Sequence, residues 1–157
     1  MCVDDDGKTP AFDQVVSENL ENIHFTPETV HAAIKQLKLG GAGGPDGFPP
    51  RVFKKLAVCI KDPLSLIFTS FMSVGQLPRD WKHAVVTPVY KSGAASSASN
   101  YRPISLTCVA CKLMERAIVK QTLGFLRKHG VINAHQHGFL SGRSTTTNLL
   151  KSVNDWT

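Results

Sequence analysis

Ala84-Val85-Val86-Thr87-Pro88-Val89-Tyr90 and, beyond the loose stretch Ser92 to Asn100, Tyr101-Arg102-Pro103-Ile104-Ser105-Leu106-Thr107 are the segments whose reading decides the fold. Both are rich in β-branched and aromatic residues, and two such runs flanking a small-residue loop predict a β-hairpin. Pro88 and Pro103 each remove a ladder donor. They predict edge or bulged strands, or strands that turn that side away from a neighbour.

Working outward, the remaining signals are helical. Thr26-Pro27-Glu28 combines an N-cap threonine, proline in the first helical position and an acid at the positive end of the helix dipole. Phe25 and Val30 sit where a hydrophobic staple would close, Val30, Ala33, Ile34 and Leu37 share a face, and Gly40 is the expected stop. Gly40 to Gly47 is a loop, because its glycines and Pro45 break regular structure. A short helix is expected after Pro49-Pro50, with Val52, Phe53, Leu56 and Ile60 inward. A third is expected to start at Asp62-Pro63, with Leu64, Ile67, Phe68, Phe71 and Met72 as its apolar stripe and Gly75 as its end. The longest helix should run from about Cys108 to His129, stopped by Gly130, and a last one should turn Leu149, Val153 and Trp156 inward. Helices around one hairpin define an α+β domain, mostly helical, rather than alternating βαβ units.

With 157 residues, 42% hydrophobic and 19% charged, the chain can bury a core as one domain. Its charge is unevenly spread. Residues 1 to 30 hold seven of the twelve acids and one base, Lys8, leaving seventeen bases against five acids, a formal balance of +12, for the rest. We therefore expect an acidic, loosely held leader over residues 1–25, with a short helix near Asp13 to Leu20, and a basic domain over 26–157 suited to a polyanionic partner. The start Met1-Cys2-Val3-Asp4-Asp5-Asp6 is too acidic for a signal peptide, and no uninterrupted apolar run approaches the roughly 18 residues of a membrane span. An intracellular protein without membrane contact is expected, its compartment open.

Several constellations invite chemistry. Cys108-Val109-Ala110-Cys111 lies where strand gives way to helix, the place where a redox CxxC would lower a thiol pKa, but it lacks the aromatic and proline context of such motifs. Buried structural cysteines are the reading we adopt. A zinc set of Cys108, Cys111, His129 and His135 is interrupted by the long helix and exceeds finger spacing. The glycine-rich loop lacks the Gly-Lys-Ser/Thr ending of a P-loop. Lys91 and Arg102 bracket the hairpin loop, where strand pairing would bring them together. There an ammonium and a planar guanidinium could hold a phosphate chain, or both could be solvated turn charges. Carboxylates are scarce. After the first 30 residues only Asp46, Asp62, Asp80, Glu115 and Asp155 remain, read as a turn residue, two helix caps, a residue on the long helix and one near the end of the sequence. Two-metal phosphoryl transfer, which needs converging carboxylates, is not expected from this set.

Four segments together resemble one family. Gly44-Pro45-Asp46-Gly47-Phe48-Pro49 resembles "GPDGIP", Val86-Thr87-Pro88-Val89-Tyr90-Lys91-Ser92-Gly93 resembles "VTPIFKKG", and Asn100-Tyr101-Arg102-Pro103-Ile104-Ser105-Leu106 resembles "NYRPISL". Gln136-His137-Gly138-Phe139-Leu140-Ser141-Gly142-Arg143-Ser144 resembles "QHGFRPGRS". In this order and at these intervals they are similar to the reverse transcriptases of non-LTR, LINE-like retrotransposons, over about residues 25 to 157.

That resemblance implies the fingers and beginning of the palm of an RNA-directed DNA polymerase. It associates Lys91 and Arg102 with the triphosphate of the incoming nucleotide, and Gly138, Phe139, Gly142 and Arg143 with the template and the floor of the site. It places Gly44, Pro45, Asp46 and Gly47 near the template-facing part of the fingers. Implied partners are an RNA template, a DNA primer and a deoxynucleotide triphosphate, with magnesium as cofactor of the full-length family and none in this segment. The sequence departs from the family where Gly41 and Gly43 replace a lysine and a proline, and where Leu140 replaces an arginine. The family's catalytic aspartates, in an "F-x-D" strand and a later "A-D-D" pair, would follow Asp155-Trp156, so this segment lacks them together with the rest of the palm and the thumb. The expectation is a partial, truncated reverse transcriptase domain, inactive alone. The alternative is a non-enzymatic RNA- or DNA-binding module derived from a retroelement.

Overall fold

The computed structural model describes residues 18–133 and 135–156, so the helix expected near Asp13 and most of the leader lie outside the described residues. The chain falls into two units, Glu21–Thr122 and a second whose described part is residues 18–20, 123–133 and 135–156.

In the larger unit the first helix, α1 (Pro27–Lys35), starts as its sequence requires: the Thr26 hydroxyl accepts the Thr29 amide at 3.2 Å with Pro27 behind it. Phe25 and Val30 close the staple and are both buried. α1 ends well before Gly40. The Leu37 amide donates to the Ile34 carbonyl at 3.1 Å, a tight turn that keeps Leu37 buried without another helical turn, and Gly40 is left as a loop residue.

α2 (Pro50–Lys55) follows Pro49 as expected, but Leu56 is exposed rather than inward. It is the joint to α3 (Ala57–Val74), and its carbonyl accepts both the Cys59 and Ile60 amides at 2.9 and 3.0 Å. Those bonds begin α3 upstream of Asp62-Pro63. Asp62 therefore caps nothing, and Pro63 lies inside the helix. Gly75, at φ 68°, ends α3 in the left-handed conformation with its amide on the Phe71 carbonyl at 3.0 Å. Phe68 is fully buried and Leu64 and Phe71 pack against the core, whereas Ile67 and Met72 face out.

α3 is also long and apolar enough to cross a membrane by length and composition, which counting uninterrupted apolar residues misses because Lys61 and Asp62 break the run. It nonetheless contributes Ala57 and Phe68 to a core shared with α1. A 3-10 turn, Arg79–Lys82, holds Asp80 and brings Trp81 edge-on to Phe68 and Phe71, with ring centroids 5.9 and 5.2 Å apart.

The hairpin consists of antiparallel β1 (Val85–Tyr90) and β2 (Tyr101–Leu106), the two strands of the sheet. α4 (Val109–Lys128) supplies Val109, Leu113, Met114 and Ala117 to the core and stops before Gly130, at φ 66°. The Gln121 carboxamide brackets His24, accepting its amide and donating to its carbonyl, both at 2.9 Å. That fixes the segment carrying Ile23 and Phe25 to α4.

In the smaller unit, Glu18 accepts from Lys128 at 3.4 Å and lies 3.2 Å from His129. The last helix, α5 (Thr145–Trp156), forms as expected, but Leu149, Val153 and Trp156 are exposed rather than inward, Trp156 to 85%, in a unit none of whose described residues is buried. The whole is a mixed α+β chain, mostly helical, with a two-stranded antiparallel hairpin.

Candidate nucleotide and nucleic-acid interface

The register of the hairpin decides what Lys91 and Arg102 can do. Val89 faces Arg102 and Tyr90 faces Tyr101, and the Lys91 amide donates to the Asn100 carbonyl at 2.8 Å, extending the ladder by one pair. Lys91 opposite Asn100 and Arg102 opposite Val89 therefore share one face as diagonal neighbours, with Cβ atoms roughly 7 Å apart in such a pair. Both are exposed, and neither makes an ion pair with a carboxylate of the described residues. Two cations of different shape stand side by side at the tip.

Because hydrogen-bonded and open pairs alternate along an antiparallel ladder, the bonded pair at Lys91 and Asn100 makes Pro88 opposite Pro103 an open pair. Neither proline costs the hairpin an inward bond: both strands are edges, as the sequence allowed, and each proline turns its nitrogen away from the neighbouring strand.

The loop between the strands is more ordered than its small residues suggest. Tyr90 and Tyr101 stack edge-to-face at 5.6 Å on the opposite face from Lys91. Their hydroxyls reach back into the loop, Tyr90 donating to the Gly93 carbonyl and Tyr101 to the Ala95 carbonyl at 2.9 Å. Asn100 donates from its side chain to Ala94 at 2.8 Å, and a 3-10 turn over Ala98–Asn100 leads into β2. These positioning residues were absent from the sequence reading, although a tyrosine at each end of the loop was the available signal.

The Gly44-Pro45-Asp46-Gly47 element is a bonded turn, with the Gly47 amide on the Gly44 carbonyl at 3.0 Å and the Phe48 amide on Asp46 Oδ1 at 3.2 Å. Gly47 has φ 72°, which favours glycine. Gly44 is required for a different reason: a Cβ there would lie 2.4 Å from Cys108 Cα. The turn is thus pressed onto the junction of β2 and α4, at the opposite end of β2 from Arg102 and about 15 Å along the strand. The structure does not bring this element to the hairpin tip.

In the smaller unit Gly138 and Phe139 form one turn and Ser141 and Gly142 the next, with Arg143 directly after it. Arg143 donates to the Gln136 carbonyl at 2.6 Å, and Ser144 and Thr147 cap α5 reciprocally at 2.8 and 3.2 Å. Phe139 has φ 61°, a left-handed conformation that costs a phenylalanine about 1 to 2 kcal/mol, and its ring is fully exposed. His137 Nδ1 lies 3.0 Å from Thr147 Oγ1; partial desolvation first, then the charges of Arg143, Lys151 and His135, holds its imidazole below the ordinary value.

The cysteines oppose redox chemistry. Burial pushes both thiols up, Cys111 to about 12 with help from the neighbouring Glu115 carboxylate, whereas a reactive thiol needs its pKa lowered. Among the described residues no three His, Cys, Asp or Glu side chains converge to hold a metal. Asp46 sits in the turn, Asp62 inside α3, Asp80 in the 3-10 turn, Glu115 on α4 and Asp155 on α5. The described residues offer no convergent carboxylate set for the magnesium of the full-length family.

No family model matches the chain. It is similar to RNA-directed DNA polymerases of mobile elements from Drosophila melanogaster: the probable enzyme from transposon BS at 32% identity over 136 residues, and that of the mobile element jockey at 33% over 130, each match covering 82% of this chain. A third, the probable enzyme of the X-element, is 29% identical over 91 residues and 57% of the chain. The chain spans 15%, 14% and 10% of the lengths of these relatives. It belongs with the reverse transcriptases of non-LTR retrotransposons, as a part of that domain.

Proposed function

We propose that these 157 residues are the fingers and the beginning of the palm of a non-LTR reverse transcriptase, a segment that holds nucleotide and template. The observation that carries the reading is the hairpin tip, where Lys91 and Arg102 share one exposed face and tyrosine hydroxyls order the loop behind them. The guanidinium fork grips phosphate oxygens in a plane while the ammonium adds a point charge. The triphosphate of a deoxynucleotide fits that pair. Phe139, exposed and held in a strained backbone, offers a stacking platform for a template base, and base-on-aromatic stacking tolerates any sequence. RNA template and DNA primer are the partners this reading assigns.

The segment by itself does not polymerise, because its described carboxylates form no convergent set. A fluorescent deoxynucleotide triphosphate should bind the chain, and Lys91→Gln or Arg102→Gln should each weaken it about tenfold, the loss of one charged hydrogen bond. Primer extension by the purified chain with magnesium should give no product. Nucleotide affinity indifferent to both substitutions, or extended primer, refutes the reading.

A further inference from the structure

α1, α2 and the start of α3 enclose an open pocket of about 240 Å³ whose charge is one-sided. His31 and Lys35, one turn apart on α1, line it with Lys54 and Lys55 from the end of α2, over a floor of Ile34, Ala57 and Val58. No carboxylate lines it. Glu28, one turn before His31, pairs with Lys61 at 3.9 Å, and Asp62, one turn beyond Val58, is outside the lining.

The ordinary explanation is that lysines in the last turns of α1 and α2 answer the negative ends of those helices. That accounts for part of the charge only. Two helix ends carry about half a unit of negative charge each against three full ammonium charges, leaving an excess of roughly two.

We propose that this pocket is a second nucleic-acid contact, holding the phosphodiester backbone of a single-stranded RNA independently of the hairpin tip. The lining chemistry chooses the ligand. Lysines bind phosphate as point charges, and beside them the pocket has no phenylalanine, tyrosine or tryptophan ring to stack a base, only the small His31 imidazole, and no guanidinium fork or carboxamide to read one. It grips backbone and ignores sequence. The choice of a nucleic acid over another polyanion rests on the reverse-transcriptase reading above; the convergence of cations does not.

The test uses the full chain and labelled homopolymeric RNAs, with affinity measured across a salt series. The triple variant Lys35→Gln/Lys54→Gln/Lys55→Gln should flatten the slope of log K against log salt by about 2, three phosphates at about 0.7 each, while deoxynucleotide triphosphate binding at Lys91 and Arg102 is unchanged. Arginine at the same three positions should restore the slope. An unaltered slope in a triple variant that melts like the parent overturns the site. A preference above tenfold between uridine and adenine homopolymers overturns the backbone-only contact. Displacement of RNA by polyglutamate at equal charge overturns the nucleic-acid assignment while leaving the hairpin reading intact.

Discussion

At Cys111 two effects of opposite sign meet. The start of a helix lowers a thiol pKa by an interaction of up to about 1 kcal/mol, whereas the rise from 9.0 to about 12 corresponds to roughly 4 kcal/mol against the thiolate, so burial wins. The folded thiol keeps its proton where the unfolded one has lost it. Its contribution to stability is therefore complete below pH 9 and drains away as pH rises from 9 towards about 12. Alkylation at pH 8 resolved by peptide mass should modify exposed Cys59 while Cys108 and Cys111 stay protected, and the urea midpoint should fall above pH 9. Native Cys111 reacting as fast as Cys59 would contradict this. The reading of these cysteines as buried and structural was legible in the sequence and holds, with Cys108 and Cys111 both in the core; the Glu115 carboxylate beside Cys111 was not, because it depends on how the first turns of α4 are placed. Gly44 is similar. It read as a loop glycine, and only the backbone of Cys108 beside it shows why nothing larger fits.

Among the elements, those that carry their own punctuation were legible: Thr26 opening α1, Gly75 closing α3, Gly130 after α4, and the hairpin with its two prolines. The errors came where a local signal was outvoted. Asp62-Pro63 has the chemistry of a helix start, yet α3 already begins at Ala57 on bonds to the Leu56 carbonyl, and the proline is carried inside. An interior proline lacks one backbone bond and crowds the preceding turn. Pro63→Ala should therefore stabilise the chain by about 1 to 3 kcal/mol, read as a raised urea midpoint with unchanged slope. A lowered midpoint would mean that α3 starts at Pro63 in solution. Tip geometry was legible only as far as Lys91 and Arg102 being brought near each other by strand pairing. The tyrosine bonds that order the loop depend on register, which alternation alone does not supply.

On the scale of the whole molecule, the buried residues described all belong to Glu21–Thr122, and α5 has none. Its amphipathic pattern revealed an apolar face but not whether anything covers it. Hydrogen exchange should follow burial: amides of α1, α3 and the first turns of α4 should exchange slowest, those of α5 and the Phe139 turn fastest. Equal protection of α5 and α3 would disprove the division. The facing prolines have their consequence here too. Open pairs in a ladder point their amides outward, towards any strand that might join, and Pro88 and Pro103 leave both borders of the ribbon without a donor at mid-length. The same two residues that mark the hairpin in the sequence thus blunt each of its borders as a template for an added strand.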